Sequence, residues 1–204
     1  IDEILETLDG ESAVLYFPSG TYLFRRPVDL RSNLTMLGAG ADSTTLRLQL
    51  KNPGNGIRCV GERGQNDYLL NQSAHRGDSI IHLETDTVSW QVGDVVYVLD
   101  NDQDLVTSSW ARQTTGQIVR IDSISGPDLF LSEKLRRTFR ANRNAQVYRI
   151  RPVENIRIEQ LSIERVDQTD QQNSNILFRY AMNCSVRCIE SNRCHFAHID
   201  LSYS

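Results

Sequence analysis

The apolar residues of this chain recur at two spacings, and the change from one to the other divides the sequence. Over Ile1 to Leu8 they fall at 1, 4, 5 and 8, the i, i+3, i+4, i+7 spacing that predicts one short amphipathic helix. Beyond it the helical period disappears. Short apolar runs follow at Ala13–Phe17, Gly20–Phe24, Val28–Leu30, Leu34–Leu37 and Thr45–Leu50, separated by Gly, Asn, Asp and Ser. Strands so short and closely spaced, mostly without a hairpin dipeptide between them, fit poorly into a meander. They predict a solenoid, in which each run pairs with the run one turn away. A two-sheet sandwich is the competing arrangement.

An Asn directly before an alternating apolar strand recurs at Asn33, Asn155 and Asn183. At a solenoid corner such an Asn tolerates the left-handed backbone and bonds to the neighbouring turn. Near the carboxy end, Ile176–Ala181 and Ala197–Leu201 match at an offset of 21 residues, which places Phe178 over Ile199. The middle of the chain differs in character. Gly77–Leu83, Val92–Leu99, Gly116–Ile121, Asp128–Leu131 and Ala145–Ile150 are strand-like but lack the corner Asn, and Ser125–Asp128 is a turn signal. The organisation expected is a cap and first coils over residues 1–70, an inserted antiparallel β subdomain over 71–149, and further coils over 150–204.

Composition narrows the classes. With 39% hydrophobic and 24% charged residues the chain is an ordinary folded domain, and a net charge of -4 gives no field to attract nucleic acid. No apolar run reaches the roughly 20 residues that span a bilayer, so no membrane insertion is expected. Among the basic residues, lysine occurs only at Lys51 and Lys134; arginine suits bidentate contacts to carboxylate or sulfate. Cys59, Cys184, Cys188 and Cys194 are too few for a disulfide framework. A strand from Cys184 to Cys188 would hold its ends about 13 Å apart, beyond disulfide reach, so the four are expected to be small buried hydrophobes.

Tyr16–Tyr22 (YFPSGTY), then Leu30–Gly40 (LRSNLTMLGAG) and Thr44–Leu46, resemble the opening of pectate-lyase-like β-helix proteins. The Gly93-Asp-Val-Val-Tyr-Val98 segment and the re-entry at Val153–Ile163 resemble a subgroup of secreted bacterial members. The resemblance implies an all-β, right-handed parallel β-helix with a short N-terminal capping helix and an inserted small antiparallel β subdomain, secreted or at the cell surface, with a polysaccharide as partner. Members include lyases, hydrolases, epimerases, tailspikes and adhesins, so fold alone does not set activity.

Lyases of this fold, as the resemblance implies, use an outer groove, often calcium held by acidic side chains, and an Arg or Lys that removes a sugar proton. With Ile199 and Leu201 inward, strand alternation sends His198 and Asp200 outward, and the offset of 21 sets Arg179 beside Asp200. Arg179, His198 and Asp200 are therefore the candidate sugar-binding cluster, the competing reading being a solvated surface ladder. Asp100, Asp102 and Asp104 offer the oxygen ligands that calcium prefers but lack the later residues of an EF-hand. His75, His82 and His195 have no ligand-like partners nearby in sequence. Of the aromatics, Trp90, Trp110, Tyr97 and Phe139 fall in the middle segment, and Trp90 is expected to pack its core.

Without the insert, five to six coils are expected, shorter than roughly 30 Å. A last strand without a polar cap would expose core side chains, so further coils of the same polypeptide, or a homo-oligomeric partner, are expected to cover it. Two functions stay open: a carbohydrate-active protein working on an acidic polysaccharide by lyase or hydrolase chemistry with an incomplete site in this chain, and a non-catalytic adhesin, tailspike-like stalk or surface component.

Overall fold

The computed structural model describes residue 5, residues 11–85 and residues 89–203. The helix expected over Ile1 to Leu8 lies, Leu5 aside, outside the described residues. Among those residues the regular elements are strands, with 3-10 turns at Ser109–Ala111 and Ala141–Arg143. The chain forms two compact units, one of residues 1–61 and 152–202, the other of 62–151 with 203–204.

The first unit opens with β1 (Ala13–Phe17), β2 (Gly20–Phe24), β3 (Val28–Asp29), β4 (Leu34–Gly38), β5 (Thr44–Leu48) and β6 (Ile57–Val60). The second contains β7 (Glu62–Leu69), β8 (Ile80–His82), β9 (Val95–Leu99), β10 (Gly116–Ser125), β11 (Asp128–Leu131) and β12 (Gln146–Arg151). The chain then returns to the first with β13 (Val153–Glu154), β14 (Arg157–Arg165), β15 (Ile176–Arg179), β16 (Ala181–Met182), β17 (Ser185–Asn192) and β18 (Ile199–Ser202).

Every pairing in the first unit is parallel. One sheet runs β1-β4-β14-β5-β2 with β17 on β14, another β18-β15-β6-β3, and β13 pairs β16. The second sheet has one strand per turn, so among the described residues four turns are stacked, fewer than the five to six expected from the number of residues outside the insert. Turn length varies: Ala13 pairs with Leu34, twenty-one residues on, and Val28 with Ile57, twenty-nine on. Stacked inward residues form continuous columns, Met36 on Ile158, Leu46 on Ile163, and Ile57 on Ile176, all at most 1% exposed. Such columns bury about 25 cal/mol per Å² of apolar surface removed from water.

The corner asparagines behave as their chemistry requires. Asn33, Asn155 and Asn183 have φ of 63°, 59° and 55°, the left-handed region that Asn tolerates, and Asn155 Nδ2 donates to Asn33 Oδ1 of the adjacent turn at 2.9 Å. β14 and β17 each bend again at Gln160 and Cys188, both with positive φ, which lets one strand pair with β4 before the bend and β5 after it. Gly38 makes that bend fit, since a Cβ there would lie 2.2 Å from the Gln160 carbonyl oxygen.

The second unit is an antiparallel sheet, ordered β7-β12-β9-β10-β11-β8. Its core gathers Leu70, Ile81, Leu83, Val96, Val98, Val119, Leu129 and Phe139, separate from the core of the first unit. The unit begins at Glu62, earlier than the Asn71 read from sequence, because β7 pairs with β12.

The cysteines need correction. All four are free, but only Cys59 is buried, while Cys188 is exposed and Cys184 and Cys194 are half-buried. Cys188 occupies a corner, not an inward position. Burial, reinforced by the nearby Cys184 and Asp29, pushes the Cys59 thiol well above its ordinary range, so it is a packing residue and not a nucleophile.

Candidate functional site

β7 and β12 run antiparallel, and their register breaks once. Val147 and Tyr148 face Tyr68 and Asp67, whereas Ile150 faces Arg63. Arg149 alone therefore stands opposite Gly64, Gln65 and Asn66, a bulge that lifts β7 from its partner. Gly64 permits the close approach at the base of the bulge, because a Cβ there would sit 2.8 Å from the Arg149 carbonyl oxygen. The result is a cavity of about 360 Å³ within this unit, lined by Arg63, Tyr68, Trp90, Arg149 and Arg151 among others. That volume suits a small ligand or one ring of a larger one.

The lining alternates cation and aromatic face. Trp90 and Tyr68 meet edge to face with ring centroids 5.2 Å apart, and both also pack against the core of the unit. The Arg149 guanidinium lies 5.0 Å from the Trp90 ring centroid, held by Nη2 donating to Ser89 O at 2.7 Å and pairing with Asp94 Oδ2 at 2.7 Å. Arg63 lies over Tyr148 at 4.1 Å and donates to Asp67 Oδ1. Burial acts to lower the Arg63 pKa, but the bond and charge of Asp67, then Tyr148, outweigh it and hold it above its ordinary value, so the group stays cationic.

Two donors in this wall are left over. Trp90 Nε1 and Arg149 Nε are buried without a hydrogen-bond partner among the described residues. A buried donor without an acceptor costs about 1–3 kcal/mol. Arginines beside aromatic faces are the chemistry that can hold a carboxylate-bearing ring. Gly64→Val is expected to push the Arg149 carbonyl away and close the cavity, at about 1–3 kcal/mol of overpacking. Urea unfolding would report the destabilisation, and a ligand titration the loss of the site.

The residues singled out from sequence are not gathered. Ile176 pairs with Ile199 and Phe178 with Leu201, so the offset in the last turn is 23 residues, not 21. Arg179 therefore stands beside Ser202, and Asp200 beside Leu177. Asp200 accepts from Ser202 Oγ at 2.8 Å and Ser174 Oγ at 3.4 Å, and His198 Nδ1 lies 2.9 Å from Ser191 Oγ. The three acidic residues proposed for calcium turn to separate partners: Asp100 to Arg137 and the Arg140 N–H, Asp102 to the Gln113 N–H, and Asp104 to Arg143. Among the described residues no three His, Cys, Asp or Glu side chains converge on one point. His82 does have a partner, Asp128, 2.6 Å away across β8 and β11. Trp110 is 80% exposed, while Tyr97 and Phe139 are buried.

Sequence reasoning missed Arg63, Tyr68, Arg149 and Arg151. The one local signal was Gly64 inside an otherwise strand-length segment, which marks a bulge or a close backbone approach. The pairing of β7 with β12 joins residues some eighty positions apart, and no local pattern announces it.

Three solved structures share the fold. The tailspike of Pseudomonas phage phi297 covers 92% of this chain at a TM-score of 0.67 and 18% identity. The tailspike of Acinetobacter baumannii bacteriophage AP22, solved in complex with A. baumannii capsular saccharide, covers 97% at 0.61 and 16%. The tailspike of Pseudomonas phage LKA1 covers 96% at 0.51 and 15%. The chain spans 30%, 33% and 42% of these three proteins respectively. No curated protein matches the sequence. No helix among the described residues is long and apolar enough to cross a membrane. The family described as Rhamnogalacturonase A/epimerase, pectate lyase-like, matches residues 1–104, just over half of the 204. With its parallel turns and its opening motif in register, the chain belongs to that family.

Proposed function

We propose that this chain recognises an acidic polysaccharide as part of an extracellular or surface-exposed β-helix protein, and that the cleft of Arg63, Tyr68, Trp90, Arg149 and Arg151 receives one charged sugar ring. The observation that carries the reading is the lining of one cavity by three arginines and two aromatic rings, with the Arg149 guanidinium 5.0 Å from the Trp90 ring centroid. A uronate presents what that wall lacks: an apolar ring face for Trp90 and a carboxylate for the arginines. Membership of a rhamnogalacturonase and epimerase family, and a neighbour solved with a capsular saccharide, support a sugar as ligand.

The cleft reads as a binding site. Glu62, the acid in its lining, is solvent-exposed and paired with Arg151 at 3.5 Å, so its carboxylate already faces a cation. Titration with an oligogalacturonate, followed by tryptophan fluorescence and calorimetry, is expected to show binding that weakens with salt, with a neutral oligosaccharide of equal length binding far less. Arg149→Leu removes a charge-assisted contact of about 1.5–3 kcal/mol, a loss of roughly tenfold or more. Equal affinity for acidic and neutral chains would overturn the reading. Following the same samples for unsaturated-sugar absorbance and for reducing ends separates lyase, hydrolase and purely binding proteins.

A further inference from the structure

β9 and β10 pair with Leu99 against Gly116, yet the connection between them runs over residues 100–115, where a hairpin usually needs about two to five. The loop is pinned from within. Asp100 and Asp102 are 1% and 2% exposed. Asp100 pairs with Arg137 at 3.1 Å and accepts from the Arg140 N–H, and Asp102 Oδ1 accepts from the Gln113 N–H at 2.7 Å across the loop. The Tyr97 hydroxyl donates to Thr114 O at 3.2 Å, and Thr114 Oγ1 to Ala111 O at 2.9 Å. A loop ordered in advance loses little conformational freedom when something binds to it.

What this loop presents is apolar. Leu105 is 60% exposed, and Trp110, on the 3-10 turn Ser109–Ala111, is 80% exposed. A tryptophan that projects from a pinned loop contributes little to the core and is the residue type that anchors recognition surfaces. The basic segment 134–143 runs beside the roots of the loop. Arg137 Nη1 donates to Thr115 O at 3.4 Å, the Asn101 N–H to Arg143 O at 2.8 Å, and Arg143 pairs with Asp104 at 2.5 Å. Residues 100–115 and 133–143 together hold six cations and four acids, a surplus of two positive charges in a chain whose net charge is -4. Asp100, Asp104 and Glu133 take Arg137, Arg143 and Arg136. Arg112, Lys134 and Arg140 are exposed and have no acidic partner among the described residues.

We propose that this loop docks on an anionic lipid surface, with Trp110 and Leu105 entering the headgroup layer and Arg112, Lys134 and Arg140 meeting its phosphates. A folded acidic partner would need carboxylates at fixed positions and a pocket for Trp110. A lipid surface supplies movable anions over an apolar layer, and projecting Trp and Leu amid unpaired cations are the composition that lies at such a boundary. The association is peripheral and needs no spanning segment. It is independent of the acidic-sugar reading, for it uses none of the residues that line the Arg149 cleft.

The full chain is floated with vesicles of phosphatidylcholine, alone or with about a third phosphatidylglycerol, at about 50 mM and about 300 mM salt, because screening separates charge-driven from apolar contact. Binding is expected to the anionic vesicles at low salt only, with tryptophan emission moving to the blue. Trp110→Ser should weaken it about tenfold, as withdrawal of one large apolar side chain predicts. Lys134→Gln with Arg140→Gln should weaken it about twenty-fivefold, at roughly fivefold per cation near such a surface. All three side chains are exposed, so urea midpoints and oligogalacturonate binding should stay as in the parent. No flotation with anionic vesicles, or flotation that Trp110→Ser leaves intact, overturns the proposal. Salt-sensitive binding of a polyglutamate peptide by a chain that ignores vesicles also overturns it, and assigns the surface to an acidic protein.

Discussion

Arg165→Met is expected to destabilise the parallel unit by about 3–5 kcal/mol, the cost of leaving the partner of a buried charge uncompensated. The side chain has the volume to be replaced by Met, so packing is nearly preserved and the loss is electrostatic. Asp167, 5% exposed, would keep its carboxylate without the guanidinium, and the carbonyls of Asn173, Ser174 and Gly54 would lose a donor together. The double variant Arg165→Met with Asp167→Leu separates these contributions. Removing both charges should recover the part due to the stranded carboxylate, but the three carbonyls stay unpaired, so recovery is expected to be partial. Urea unfolding of the two variants, read with hydrogen exchange at Ile158 and Ile163, measures both; a single variant within about 1 kcal/mol of the parent, no worse than a typical point substitution, would mean that water replaces the guanidinium.

The fold was legible where local chemistry and repetition coincide. Asn33, Asn155 and Asn183 mark corners because few other residues tolerate a left-handed backbone and can also bond to the next turn. The inward columns followed from strand alternation, and Met36 and Ile158 stack as that alternation requires. Register was not legible, for the loops between turns vary in length, from a twenty-one-residue step at Ala13 to a twenty-nine-residue step at Val28. A matching pattern of Ile, Phe and Leu fits offsets of 21 and 23 equally well, since a shift of two restores the same face. That ambiguity moved Arg179 away from Asp200. The cleft was hidden for a related reason: its walls come from β7, β12 and the segment before β9, and only the pairing of distant strands brings Arg63, Trp90 and Arg149 together. His195 was set aside because its partner is a main-chain carbonyl, which no side-chain motif reveals.

Phe139→Ala is expected to cost the antiparallel unit about 3–5 kcal/mol, the usual range for truncating a fully buried aromatic. Phe139 is 0% exposed and joins Ala74 through two main-chain bonds, Ala74 N to Phe139 O at 3.0 Å and Phe139 N to Ala74 O at 2.8 Å. The ring lies in the core with Leu70, Leu83, Leu135 and Val147. Its bridge clamps a segment that carries Arg137 and Arg140, the partners of buried Asp100, so the cavity left by Ala cannot collapse freely without disturbing a charged contact. The two cores share no residue. The substitution should therefore accelerate exchange at Val96 and Val98 while Ile158 and Ile163 keep their protection, the reverse of Arg165→Met. Oligogalacturonate binding at the Arg149 cleft should fail at a lower temperature in Phe139→Ala than in the parent. Equal loss of protection in both sets of amides would show that the units unfold as one.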